Sequence, residues 1–363
     1  MLKNKFSFSP YWLLSVFLLS GCQSTDLIKI TDAYFFNDKS FPNEQYLAGN
    51  IVNDTFIGKP VRLTQIDSLL YVADAALDSL VHIFDVKNNI YKGLAISRGN
   101  GPDELLSAGH VTSSIDRNSV WAHDITSQRW MQYDRELNTL MDKMQFAVDS
   151  VNNVYINEPQ WISDNLFVCV NFLSHKERFY VVNKDLTEFK PVFNPQFSFD
   201  NNCPPFLMND IFSSLIHVKP DRKKVVLAGR YLDCIEIYNA DGSLTKLLKG
   251  PEKNFKFEYD KSRSLGNSVL VKSPWSRRAY IGLRSTNDRI YALYSGKERR
   301  DSSNYSTSNI IYTFDWEGNL LKKYVLDCLI DSFDVDESAQ TIYAVQEPDS
   351  YIVSFNLSDD KIL

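Results

Sequence analysis

Glycine is scarce in this chain, 14 in 363 residues, and cysteine and histidine are scarcer still at five each. Five cysteines are too few for a disulfide scaffold, and their spacing matches no zinc site. His82, His110, His123, His175 and His217 form no His-x-His or His-Glu-x-x-His pair, so their spacing asks for no bound metal. No Asp-x-Asp-x-Asp-Gly calcium loop and no Gly-x-Ser-x-Gly nucleophile elbow occurs, and no cofactor is called for. Positive charge is in deficit, with 39 Lys and Arg against 45 Asp and Glu. A net charge of −6 gives no general attraction to nucleic acid. What is abundant is aromatic: 19 Tyr and 23 Phe in a 44% hydrophobic chain. That excludes disorder, and with β-branched residues and little glycine it favours strands.

The first 21 residues read as an export signal, to be set aside before any fold argument. Lys3 and Lys5 make a basic start, and the apolar run Tyr11–Leu19 is shorter than the ~20 residues a spanning helix needs. It ends in Leu19-Ser20-Gly21-Cys22, which has the form of a bacterial lipobox, with Cys22 as the residue that receives lipid. Cleavage there removes two lysines and no acid, leaving 37 basic against 45 acidic side chains, a balance of −8. Several acyl chains (palmitate among them) anchor firmly at about 0.8 kcal/mol per buried methylene. The expectation is a body tethered by its lipid to the outer membrane, since Gln23 is not the Asp of inner-membrane retention. The side it faces, periplasm or exterior, stays open.

Beyond about residue 45 the chain is a succession of short apolar runs bounded by polar turns, such as Ser68–Ala73, Leu80–Asp85, Asn165–Val170 and Asn309–Phe314. One pattern recurs: an aromatic or apolar residue plus Asp or Asn, then a tight polar turn. It occurs at Phe84-Asp85, Tyr133-Asp134, Val182-Asn183, Tyr238-Asn239, Phe314-Asp315 and Phe355-Asn356, at intervals of 49, 49, 56, 76 and 41 residues. Repeats of about 40–50 residues with several strands each are the signature of propeller blades. Six copies predict an all-β, six-bladed β-propeller with blades near 61–109, 110–157, 158–208, 209–270, 271–326 and 327–363. Little chain follows the last turn, so a strand near Gln45–Asp54 is expected to complete the last blade, which removes an exposed edge. A pair of β-sandwiches is the competing arrangement. The division is a signal peptide at 1–21, a tether and lead-in at 22–44, and the propeller at 45–363.

Arg98-Gly99-Asn100-Gly101-Pro102-Asp103-Glu104-Leu105 follows the last strand of the first blade. It resembles the Gly-x-Gly-Pro-x-Glu segment of bacterial TolB-like six-bladed propeller lipoproteins, as do Gly58-Lys59-Pro60-Val61-Arg62, the Asp67–Val72 strand and the lipobox. Asp103 stands where many relatives carry a third glycine. The resemblance implies the fold and the cell-surface address; it implies no activity, because most members have none assigned.

The same Gly99–Glu104 segment has no third glycine at phosphate-loop spacing and lies between strands. It reads either as a tight crossing between blades or as one rim of the channel. On the second reading Arg98, Asn100, Asp103, Glu104 and His110, with Arg62, line a ligand site. Trp161 and Trp275 are the tryptophans placed to stack on a sugar or peptide. The expectation is a binding or protein-interaction module recognising an envelope protein, glycan or peptide at a channel mouth. A carbohydrate-active hydrolase or lyase, or a calcium-dependent lactonase-like enzyme, is the alternative on the same scaffold. The thiols of Cys169, Cys203, Cys234 and Cys328 read as buried or incidental.

Overall fold

The computed structural model describes residues 27–53, 57–146, 154–171, 176–201, 203–252, 257, 270, 273–300 and 303–358. Cys22 and the rest of the expected signal lie outside the described residues. The chain forms an all-β propeller whose only described α-helix is α1 (Pro205–Phe212).

Four short strands come first: β1 (Ile28–Ile30), β2 (Tyr34–Phe35), β3 (Glu44–Leu47) and β4 (Gly49–Asn53). Antiparallel four-stranded units follow. The first is β5 (Pro60–Ile66), β6 (Leu69–Asp74), β7 (Ser79–Asp85) and β8 (Ile90–Ser97). The second is β9 (His110–Ser113), β10 (Ser119–Asp124), β11 (Arg129–Asp134) and β12 (Leu140–Gln145). The third is β13 (Ile156–Ser163), β14 (Leu166–Asn171), β15 (Phe179–Asn183) and β16 (Phe189–Val192), with β17 (Phe197–Phe199) pairing separately with β1. The fourth is β18 (Ser214–Val218), β19 (Lys224–Gly229), β20 (Cys234–Asn239) and β21 (Leu244–Lys249). The remainder is one eight-stranded sheet: β22 (Tyr280–Ser285), β23 (Ile290–Tyr294), β24 (Ser308–Phe314), β25 (Leu320–Asp336), β26 (Thr341–Glu347), β27 (Ile352–Asn356) and β4 in order, with β3 beside β25 as the eighth. The long β25 joins two units within it: Leu320–Val325 pairs with β24, and most of Leu329–Asp336 with β26. From the N-terminal side, β4 lies antiparallel on β27 at the edge of this sheet.

The turn that repeats in the sequence falls at the end of the third strand of each unit, as at Phe84-Asp85 in β7 and Phe355-Asn356 in β27. The core is a set of slabs between neighbouring sheets, and the period-2 geometry of a strand explains how one strand serves two of them. Leu69 and Tyr71 of β6 pack against Val120 and Ala122 of the second unit, while Leu70 and Val72 pack against Tyr343 and Val345 of β26. The slab between the second and third units is aromatic, with Trp130 and Trp161 stacked 4.8 Å apart and Trp121 edge-on to Trp161. Residues 27–53 run along the outside: β2 adds in parallel to β21 and β3 in parallel to β25. Phe36 is buried there against Tyr312 and Phe314.

Candidate functional site

The first strands of the units line the middle of the molecule, and several are irregular near their starts. β5, β13, β22 and β25 each shift register by one residue, between Pro60 and Arg62, Asn157 and Gln160, Tyr280 and Gly282, and Ile330 and Ser332. A bulge of this kind re-aims a side chain. In β13 it coincides with Glu158 at φ 52° followed by Pro159, which cannot donate to a ladder.

The result is a buried polar cluster. Arg62 Nη2 donates to Glu158 Oε1 at 2.7 Å and Arg62 Nη1 to His110 Nδ1 at 2.6 Å. Arg230 Nη2 reaches the same Glu158 oxygen at 3.0 Å. Burial opposes ionisation of Glu158, but the charges of Arg62 and Arg230 prevail and hold its carboxyl well below the usual range. His110 goes the other way: burial and the adjacent Arg62 keep it neutral. Arg284 of β22 links two further strands: its Nη2 donates to the Leu63 carbonyl of β5 at 2.7 Å and its Nε lies 3.5 Å from Asp334 Oδ1 of β25. Gln65 N donates to Asp334 Oδ2 at 2.8 Å and Leu63 N to Ser332 Oγ at 2.9 Å.

A cavity of ≈480 Å³ opens where these first strands end. It is lined by the ends of β5, β9, β18, β22 and β25, with Arg117, Arg222, His110, His217, Asp336 and Glu337 among its polar walls. Its size falls within the roughly 300–1,000 Å³ typical of small-molecule sites. His217 is neutral, its pKa drawn down to about 3 by burial and by Arg284 and Arg222, and its Nδ1 lies 2.8 Å from Ser285 Oγ. Among the described residues no three His, Cys, Asp or Glu side chains group closely enough to hold a metal ion, and no helix is long and apolar enough to cross a membrane.

Of the residues singled out from sequence, only His110 lines the cavity. Arg62 stands behind His110 in the polar cluster. Arg98 clamps three loop carbonyls, those of Ala75, Leu77 and Leu106. Glu104 folds back over its own loop, where its Oε2 accepts from Gly101 N at 2.8 Å. This explains the glycines, since a Cβ on Gly99 would sit 2.0 Å from that oxygen. Asn100 and Asp103 are exposed in the same loop, and the Asp103 carbonyl accepts from Tyr133 Oη. Trp161 is buried in the tryptophan stack, and its carbonyl accepts from Arg222 Nη1 at 3.0 Å. Trp275 is half-buried. Cys169, Cys203 and Cys234 are buried and Cys328 half-buried, all four as free thiols.

Sequence reasoning passed over Glu158, Arg230, Arg117 and Arg222. Pro159 inside an otherwise good strand was the available signal for the bulge at Glu158. Arg117 and Arg222 each follow an Asp in a first-to-second-strand turn.

Residues 36–338 match the family described as TolB-like 6-blade propeller-like. No curated protein matches the chain. Among solved structures, a candidate exported protein of Bacteroides fragilis superposes with a TM-score of 0.54 at 12% identity, over 89% of this chain and 98% of that one. A DUF4221 family member from Bacteroides vulgatus superposes with a TM-score of 0.57 at 10% identity, over 91% of this chain and 98% of its own. At such identities these two matches speak for the propeller fold alone. The family match covers most of the sequence, and by it the chain belongs to the TolB-like six-blade propeller family.

Proposed function

We propose that this chain is a cell-envelope lipoprotein whose six-bladed propeller, closed by β4 as the outer strand of the last blade, binds a small ligand in the cavity at one end of its channel. The observation that carries the reading is the cavity itself: strand ends from across the propeller converge on it, and its polar groups sit on rigid strands and tight turns. Pairing of β4 with β27, and a hydrophobic slab joining the last unit to the first, support the closed ring. The Leu-Ser-Gly-Cys tetrad at 19–22 and the exported description of one structural neighbour support the envelope address.

A thermal-shift panel of glycans and peptides, run on the full-length protein purified in detergent, tests the binding reading. A ligand that binds only the folded state raises the melting point by mass action. A rise lost on substitution of cavity residues is the expected result; a melting point indifferent to every ligand would sink it. Labelled palmitate should enter the wild-type protein and not Cys22→Ser.

A further inference from the structure

Two turns place arginines on one wall of the cavity. In Ser114-Ile115-Asp116-Arg117 and Lys219-Pro220-Asp221-Arg222 the arginine N–H closes the turn on the carbonyl three residues back. Both arginines take up left-handed backbone, at φ 61° and 65°, and both side chains line the cavity. Their charges are unequally answered. Arg117 meets Asp67 at 2.6 Å, but that carboxylate also serves Arg135 at 2.7 Å. Among the described residues Arg222 has only the Trp161 carbonyl at 3.0 Å and Ser113 Oγ at 3.5 Å. Burial and the nearby Arg117 both lower its hold on its proton, the mark of a cation that lacks a counter-charge.

Neutral donors complete the wall. Arg62 can only donate, so His110 Nδ1 accepts, and the proton of the neutral ring sits on Nε2. That Nε2–H is buried with no acceptor among the described residues, on a residue only 6% exposed that lines the cavity. Thr112 Oγ1, on the same strand, is likewise buried without a partner among the described residues. The acids of the facing wall are occupied: Asp334 by Arg284 and Gln65, Asp336 by Gln65 and Ser338, Glu337 by the Asn287 N–H.

We infer that the cavity takes a small ligand carrying an oxyanion (carboxylate, sulfate or phosphate), held by Arg222 and Arg117 and by the Nε2–H of His110 and the hydroxyl of Thr112. This deepens the binding reading above and rests on it. An oxyanion accepts several hydrogen bonds at once, and a guanidinium fork meets it with charge-assisted ones.

Isothermal titration of the full-length protein in detergent with glucuronate, glucose 6-sulfate, glucose 6-phosphate and neutral glucose, at constant ionic strength, is the test. At least one anionic sugar should bind more tightly than glucose, and more weakly as salt is raised; which of the three does so identifies the oxyanion. Arg222→Met should weaken that binding by about tenfold or more, and Thr112→Val, which keeps the side chain's shape, by about two- to tenfold. Binding of glucose as tight as that of its acids, or unchanged binding by a folded Arg222→Met protein, would overturn the oxyanion site and leave the cavity as a binding site. No heat with any of the four, and no ligand in the wider glycan and peptide panel, would overturn both.

Discussion

Replacing Glu158 with Gln removes one charge and almost no volume from the centre of the propeller, and it isolates the electrostatics there. The carboxylate is 4% exposed, while Arg62 and Arg230 are 18% and 20% exposed. It is the sole carboxylate in hydrogen-bond contact with either guanidinium among the described residues. At an effective dielectric of about 20, unit charges near 4 Å apart attract by about 4 kcal/mol, much of it offset by desolvation. Breaking a buried pair leaves the partner charge uncompensated and costs about 3–5 kcal/mol. At roughly 2 °C per kcal/mol for a large domain, Glu158→Gln should melt about 6–10 °C below wild type at pH 7.

The pH dependence follows from the depressed pKa. A carboxyl held low in the folded state contributes fully above its unfolded pKa of about 4.3, and loses that contribution as pH falls toward the folded value. Urea unfolding of wild type and Glu158→Gln should therefore differ by a constant amount from pH 5 to 8. Below about pH 4.3 the gap should narrow by about 1.4 kcal/mol for each pH unit. A gap under about 1 kcal/mol at pH 7, or one of equal size at pH 7 and pH 3, would refute the assignment of Glu158 as counter-ion to both arginines.

Trp161→Ala empties one place in the tryptophan stack while keeping the backbone carbonyl that holds Arg222; it should cost about 3–5 kcal/mol and diminish the near-ultraviolet circular dichroism. Gly99→Ala should destabilise by about 1–3 kcal/mol because its Cβ collides with Glu104 Oε2, whereas in a Glu104→Ala background the same change should be nearly neutral; additive effects in this double-mutant cycle would refute the contact. Asp233 is buried, with Oδ2 accepting from Glu252 N and Oδ1 without a partner among the described residues, and burial pushes its carboxyl up to about 8. The folded state thus keeps a proton that the unfolded chain releases above about pH 3.9. Wild type should lose stability relative to Asp233→Asn as pH rises from 5 to 8, and parallel melting curves across that range would contradict it.

The architecture was legible because its signal is repeated. A third strand ending in an aromatic or apolar residue plus Asp or Asn recurs from Phe84 to Phe355, and each copy reinforces the others. Residues 27–47 were harder. Tyr34-Phe35 and Glu44–Leu47 are two- and four-residue strands added in parallel to finished sheets, and their pairing depends on partners some 200 to 280 residues away. A local reading has no access to such contacts, and a polar stretch after a lipobox looks like tether.

The site was less legible for a related reason. Gly99–Glu104 drew attention as the most distinctive segment in the chain, yet its conspicuous residues serve the loop itself: two glycines make room for a carboxylate that closes back on Gly101. Arg117 and Arg222 sit in turns that look like ordinary solvated polar sequence, 105 residues apart. They become one wall only because the same strand position in two different units converges on one cavity. In a propeller, residues that act together occupy equivalent positions in different repeats. Aligning Ser114-Ile115-Asp116-Arg117 beneath Lys219-Pro220-Asp221-Arg222 would have exposed the pair before any coordinates. The search for chemistry in such a chain should therefore run down the columns of its repeats, because linear motifs along one row mostly report how a single loop is built.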